Sequence, residues 1–189
     1  MNFVTMISNV AFRCKIRCIF LRVLVDWLEA MVNHTARLNQ LSLSAIRKLF
    51  TNLSPPLPDS IIGFYRGFFV GPGWLRLSAS PLLAITGLGG WWGKEIRRAD
   101  GGAVNLVRRR GEYHRIFPMY FVQQSSFLDG QPGLALRYQK DNPFPWPIIV
   151  DELRCLDPQT VLGMTQVDLP LLRRQAFPFI LHVQEALDP

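Results

Sequence analysis

Three cysteines, Cys14, Cys18 and Cys155, are too few to staple this chain. At least one stays unpaired in any monomer, so a disulfide framework is excluded as the basis of the fold and a reducing, cytoplasmic setting is expected. Cys14 and Cys18 share one face of a helix at their spacing of four. With His34 the nearest nitrogen and no second cysteine pair, they do not describe a zinc site, and buried thiols are the plainer expectation. Uninterrupted apolar runs are also missing from the amino-terminal segment. Arg13, Lys15, Arg17 and Arg22 break it well short of the roughly 20 residues a membrane span needs, and they break a secretory signal core too.

Catalytic signatures are equally scarce. There is no Gly-x-Ser-x-Gly elbow, Cys155 has no histidine beside it, and His114 and His182 lie far apart in the chain. Asp151 and Glu152 are adjacent, which puts their carboxylates on opposite faces of a strand. The glycine-rich run Gly87-Leu88-Gly89-Gly90-Trp91-Trp92-Gly93-Lys94-Glu95 fails as a phosphate loop. Leu88 stands where the first glycine belongs, and Glu95 where a Ser or Thr metal ligand belongs. It fails as a dinucleotide fingerprint because Trp92 replaces the third glycine. No catalytic residue, metal or cofactor is expected.

What is present is a well-cored chain. Of its 189 residues, 49% are hydrophobic and 19% charged, a globular composition. The net charge of +7 is uneven. Residues 1–60 carry seven basic and three acidic side chains, which leaves the remainder nearly balanced. Arg108, Arg109 and Arg110 form its one basic run of three, without the stripe of basic and stacking residues that a nucleic-acid binder needs.

Residues 1–50 carry helical spacing, in Leu21, Leu24, Val25 and Leu28 and again in Leu38, Leu41, Ala45 and Leu49, with Ser42 or Ser44 as cap of the later helix. The basic, acid-poor start has three readings: an extra helix or upstream extension, an organelle-transit segment, or an interfacial helix whose Phe12, Ile16, Ile19, Phe20 and Val23 meet a membrane surface. Asn52–Pro58 is a proline-rich linker, giving a helical extension over 1–54 and a second domain over 55–189.

Beyond the linker, about eight strand-like runs alternate with turn signals: Phe64–Val70, Trp91–Ile96, Val104–Arg109, Arg115–Gln123, Leu134–Gln139, Ile148–Leu156, Thr160–Val167 and Phe177–Val183. That spacing suits an antiparallel barrel or sandwich. Leu75–Leu88 is better suited to helix, with Ser80-Pro81 as its start and Gly87 as its stop, lying across a barrel mouth. Alternation puts Trp92, Lys94 and Ile96 on one strand face, with Lys94 snorkelling to solvent or meeting a ligand head group. It also puts Glu152 and Arg154 on a common face as an ion pair, and His182 on an outward, solvated face opposite Phe179 and Leu181.

Gly63-Phe64-Tyr65-Arg66-Gly67 resembles a GXWXG motif. Trp92-Gly93-Lys94-Glu95-Ile96 and the run from Pro147 through Leu181 are similar in order and spacing to the elements that accompany that motif in a family of largely uncharacterised lipocalin-like proteins. The resemblance spans roughly residues 61–183, with Tyr65 in place of the motif's Trp. It implies a calycin-like antiparallel β-barrel, mainly β, with no established activity.

The expected function is non-enzymatic binding of an apolar or amphipathic small molecule, lipid or fatty-acid-like, inside the barrel. Tyr65 and Trp92 supply aromatic wall, Met164 and Met119 adaptable lining, and Arg66, Lys94 and Arg154 anchor an acidic head. Two alternatives stand beside it: an enzyme using Asp151, Glu152 or His114 in the same pocket, and a membrane-peripheral interaction protein.

Overall fold

The computed structural model describes residues 34–97 and 102–187. The chain divides into two units, Met1–Ala36 and Arg37–Pro189, and every strand among the described residues lies in the second. The segment expected to meet a membrane, Phe12 to Val23, falls outside the described residues. Among those that are described, no helix is long and apolar enough to cross a membrane.

Eight antiparallel strands close into a barrel in chain order: β1 Gly63–Phe69, β2 Trp91–Ile96, β3 Ala103–Arg109, β4 Glu112–Ser125, β5 Pro132–Tyr138, β6 Ile149–Asp157, β7 Thr160–Val167 and β8 Ala176–Gln184. The first strand pairs with the last, Arg66 opposite His182 and Phe68 opposite Ile180, so no edge is left unpaired. Period-two alternation then sorts each strand into an inner and an outer set. Leu134, Leu136 and Tyr138 of β5, Ile149 and Leu153 of β6, and Phe179 and Leu181 of β8 belong to one interior core.

A second core lies on the outside. Helix α1, Leu43–Thr51, is capped by the Ser42 hydroxyl, which accepts from the Ala45 amide at 3.2 Å. Its buried residues Ile46 and Phe50 pack with Leu162, Met164 and Ile180, outward-facing residues of β7 and β8. The boundary expected at 54/55 therefore falls inside a compact unit that begins at Arg37. Burial of this helix face against the barrel, which outweighs the proline-rich linker beside it, is the reason.

Helix α2, Gly73–Ile85, joins β1 to β2. It begins eight residues before the expected start at Pro81, which sits inside the helix. Leu75 and Ala79 are buried and Leu83 is packed against the interior core. That four-residue repeat holds the helix on the barrel despite a proline that costs roughly 3 kcal/mol in a helix interior. Gly87, at φ +85°, ends it as expected.

Glycines fix two close approaches. A Cβ at Gly93 would collide with the Tyr65 carbonyl on the neighbouring strand, and one at Gly67 would meet the Trp91 ring. Backbone cannot yield as a flexible side chain does. Gly93→Ala is therefore expected to lower the free energy of unfolding by roughly 2–3 kcal/mol, measured by urea denaturation. An unchanged midpoint would refute the β1–β2 packing.

Candidate functional site

A cavity of about 180 Å³ lies between α2 and the barrel interior. Leu75, Ala79 and Leu83 of α2 form its roof, Phe69, Trp91 and Phe179 its aromatic wall, and Ile149 and Trp146 a further side. Aromatic contacts fix these walls. Trp91 lies 5.2 Å from Phe69 and 6.0 Å from Phe179, and Trp146 lies 4.9 Å from Tyr138 and 5.2 Å from Phe117, by ring centroids. Trp146 also ties down the end of the lid, its indole donating to the Thr86 carbonyl at 2.8 Å.

Polar groups meet at the floor. Lys94 Nζ sits 2.9 Å from Asp151 Oδ2, with each side chain only 2% exposed. It also donates to Asn105 Oδ1 at 2.9 Å. The Trp91 indole donates to that same oxygen at 3.1 Å, and Asn105 Nδ2 donates to the Tyr138 hydroxyl at 3.1 Å. Thr165 Oγ1 donates to Asp151 Oδ1 at 2.6 Å. The two charges cancel, and each has neutral partners for its remaining sites, the condition under which a buried pair persists. Burial, then the Asp151 charge, pushes the Tyr138 hydroxyl well above the ordinary phenol value.

The tandem tryptophans exchange the expected roles. β2 pairs with β3 through Trp91–Val107 and Gly93–Leu106, a bulge that inserts one extra residue. Trp91 consequently joins Lys94 on the cavity side. Trp92 lies outside, edge-on to Tyr113 at 5.2 Å and beneath the Arg66 guanidinium. Nothing in the alternation of residue types marks the bulge, because Trp suits either face. Gly67 is the usable signal: a strand glycine leaves room for an aromatic ring on its neighbour, and that ring is Trp91.

Of the other expected ligand contacts, Tyr65 points inward but packs in the filled part of the core, away from the cavity lining. Burial, with Cys155 second, pushes its hydroxyl up to about 12. Arg66 is on the outer face, donating to the Trp92 carbonyl at 2.6 Å. Met164 is in the core beneath α1. Arg154 is outside too, its guanidinium 5.1 Å from the Phe50 ring centre and 3.8 Å from Asp129. The parity of β6 explains the last: Asp151 takes the inner face, so Glu152 and Arg154 take the outer one.

Those two residues also find different partners from the pair expected. Glu152 accepts from the Ser126 hydroxyl at 2.6 Å and the Phe127 amide at 2.7 Å. Lys94 is buried where solvation was expected, as is His182, which faces outward yet is only 1% exposed and meets the Thr160 hydroxyl at 3.2 Å. His114 is exposed on β4. Asn105, Tyr138 and Thr165 were missed; a lone Asn in the apolar run Ala103–Val107 was the available hint.

Two outcomes test this floor. Lys94→Met should cost about 3 kcal/mol or more by leaving Asp151 buried without its cation, while Lys94→Met/Asp151→Asn should regain much of that loss. Strictly additive losses in urea melts would contradict the pairing. Folding raises the Tyr65 and Tyr138 values, so both phenols hold protons more tightly folded than unfolded. The contribution of Tyr65 to stability is complete below the ordinary value near 10 and is lost as pH rises through about 12; that of Tyr138 is likewise lost only on the alkaline side. Tyr65→Phe should flatten that alkaline decline.

No family model matches the chain, and no curated protein matches it either. A solved structure does. A protein from Thermomonospora curvata superposes with a TM-score of 0.61 at 18% identity, covering 85% of this chain and 99% of that one. At that identity the likeness is one of fold, and an eight-stranded antiparallel barrel of this kind fits the calycin-like architecture.

Proposed function

We propose that the barrel binds a compact, mostly apolar small molecule bearing one neutral hydrogen-bonding group. The observation that carries this reading is the polar cluster at the base of an otherwise apolar cavity. Apolar walls supply affinity by desolvation, and a few converging polar atoms set orientation. Lys94 was expected to anchor an acidic head, but Asp151 already neutralises it. A ligand carboxylate there would leave a net negative charge buried, whereas a hydroxyl or carbonyl fits between the amide of Asn105, the phenol of Tyr138 and the ion pair.

Size narrows the lipid-like expectation. A cavity of about 150 Å³ holds a benzene ring. The cavity here, about 180 Å³, suits a single ring or a short branched chain and not an enclosed long acyl chain.

A second reading rests on Asp151 alone. Of the three acid or base candidates it is the one at the cavity, within ion-pair distance of Lys94 and 3.4 Å from the Tyr138 hydroxyl. A carboxylate and a phenol over a small apolar space suit proton transfer to or from a bound carbonyl compound.

Phenol, indole, benzoate and decanoate, titrated separately into the full chain and followed by tryptophan fluorescence and calorimetry, test the binding proposal. Phenol or indole should bind and benzoate at least tenfold more weakly. Ala79→Phe, which fills the roof, should abolish binding while leaving the circular dichroism spectrum intact. Preferred binding of decanoate, or unchanged phenol binding in Ala79→Phe, would overturn it.

A further inference from the structure

We infer that the lidded end of the barrel docks on an anionic lipid bilayer. The observation is a second apolar face on α2. Leu75, Ala79 and Leu83 close the cavity, and at about 100° per residue Trp74, Leu77 and Ile85 form a separate stripe pointing away from it. They are 61%, 81% and 83% exposed. A surface helix in water carries polar residues there, and this one does not.

The patch continues across neighbouring connections. Phe144, between β5 and β6, is 81% exposed, and Leu171, between β7 and β8, is 93% exposed. Antiparallel order brings these connections to the end where β1 runs into α2, and the cavity lining includes Leu82 of α2, Pro145 of the β5–β6 connection and Phe177 at the start of β8.

Charge identifies the occupant. Exposed Arg108, Arg109 and Arg110 sit in the β3–β4 turn at the same end, Arg109 donating to the Gly87 carbonyl just past α2 at 2.9 Å. Arg76 on α2 and Arg174 beside Leu171 are exposed too. The acids there are fewer: Glu112, Asp141 and Asp168, the last held by Arg137 and Arg173 at 2.7 Å each. Apolar side chains ringed by arginines match the headgroup boundary of an anionic bilayer, where the side chains sink roughly 5–10 Å and the cations meet phosphates. A second copy of the same cationic end would be repelled.

This docking does not depend on the cavity's ligand, so it is tested with none added. Full-length protein is sedimented with phosphatidylcholine vesicles with and without about 30% phosphatidylserine. Binding is expected to the serine-lipid vesicles, weakening with salt, together with a blue shift of tryptophan emission that Trp74→Phe reduces. Leu77→Asp/Ile85→Asp, and separately Arg108→Glu/Arg110→Glu, should each lower vesicle affinity at least tenfold, while Phe12→Ser/Ile16→Ser should not. Circular dichroism confirms folding, and Leu171→Asp replaces any variant that fails. No vesicle binding by the unaltered chain, equal binding by the lid and turn variants, or self-association without lipid that the same substitutions abolish would each overturn the inference.

Discussion

One buried ion pair organises the interior of this barrel. Lys94 and Asp151 come from strands well separated around the barrel wall, and their contact at 2.9 Å leaves both almost without solvent. An uncompensated charge at that depth would cost several kcal/mol, so each side chain dictates what surrounds the other. Asn105, Tyr138 and Thr165 are placed where the remaining donors and acceptors need partners. The pair does not maximise stability, since well-packed hydrocarbon fills a core as well or better. What it provides is a fixed polar point inside an apolar enclosure.

The consequence is an interior of two kinds. Around Tyr65, Ile96, Leu134, Leu153 and Leu181 the barrel is packed solid, as small barrels are. Beneath α2 it is not, because Gly67 and Gly163 carry no side chains there and let the rings of Trp91 and Phe179 lie against the wall. The lid completes the space with short residues such as Ala79 while Trp146 secures its end. A packed core and an open cavity are thus combined, and the polar cluster marks where one gives way to the other.

Much of this was legible in the sequence. Turn residues of limited backbone freedom separated eight alternating runs, each of which became a strand, and Gly87 stopped the lid helix as its conformation requires. Lys94 is expected from the sequence to reach solvent or a ligand head group; its actual partner, Asp151, lies more than fifty residues away, and no local pattern announces a cross-barrel contact. Trp92 was misassigned for a different reason: one extra residue in a bulge reverses parity, and bulges are set by pairing between strands. Met164 and Arg154 followed from treating an outer strand face as inner. That face was hidden by α1, so burial there gave a hydrophobic pattern on both sides of β7 and left the direction ambiguous.

The proposed ligand is a small neutral molecule held under the lid with its polar group on the Lys94–Asp151 floor. Diffraction from crystals soaked with 4-bromophenol near pH 6, using the anomalous signal of bromine, tests it most directly. A bromine peak is expected among Leu75, Ala79 and Leu83, with the phenol oxygen within hydrogen-bond distance of Asn105, Tyr138 or Asp151. A saturated soak with bromine only on the protein exterior, or a ring bound beneath the lid with its oxygen turned away from that floor, would contradict it.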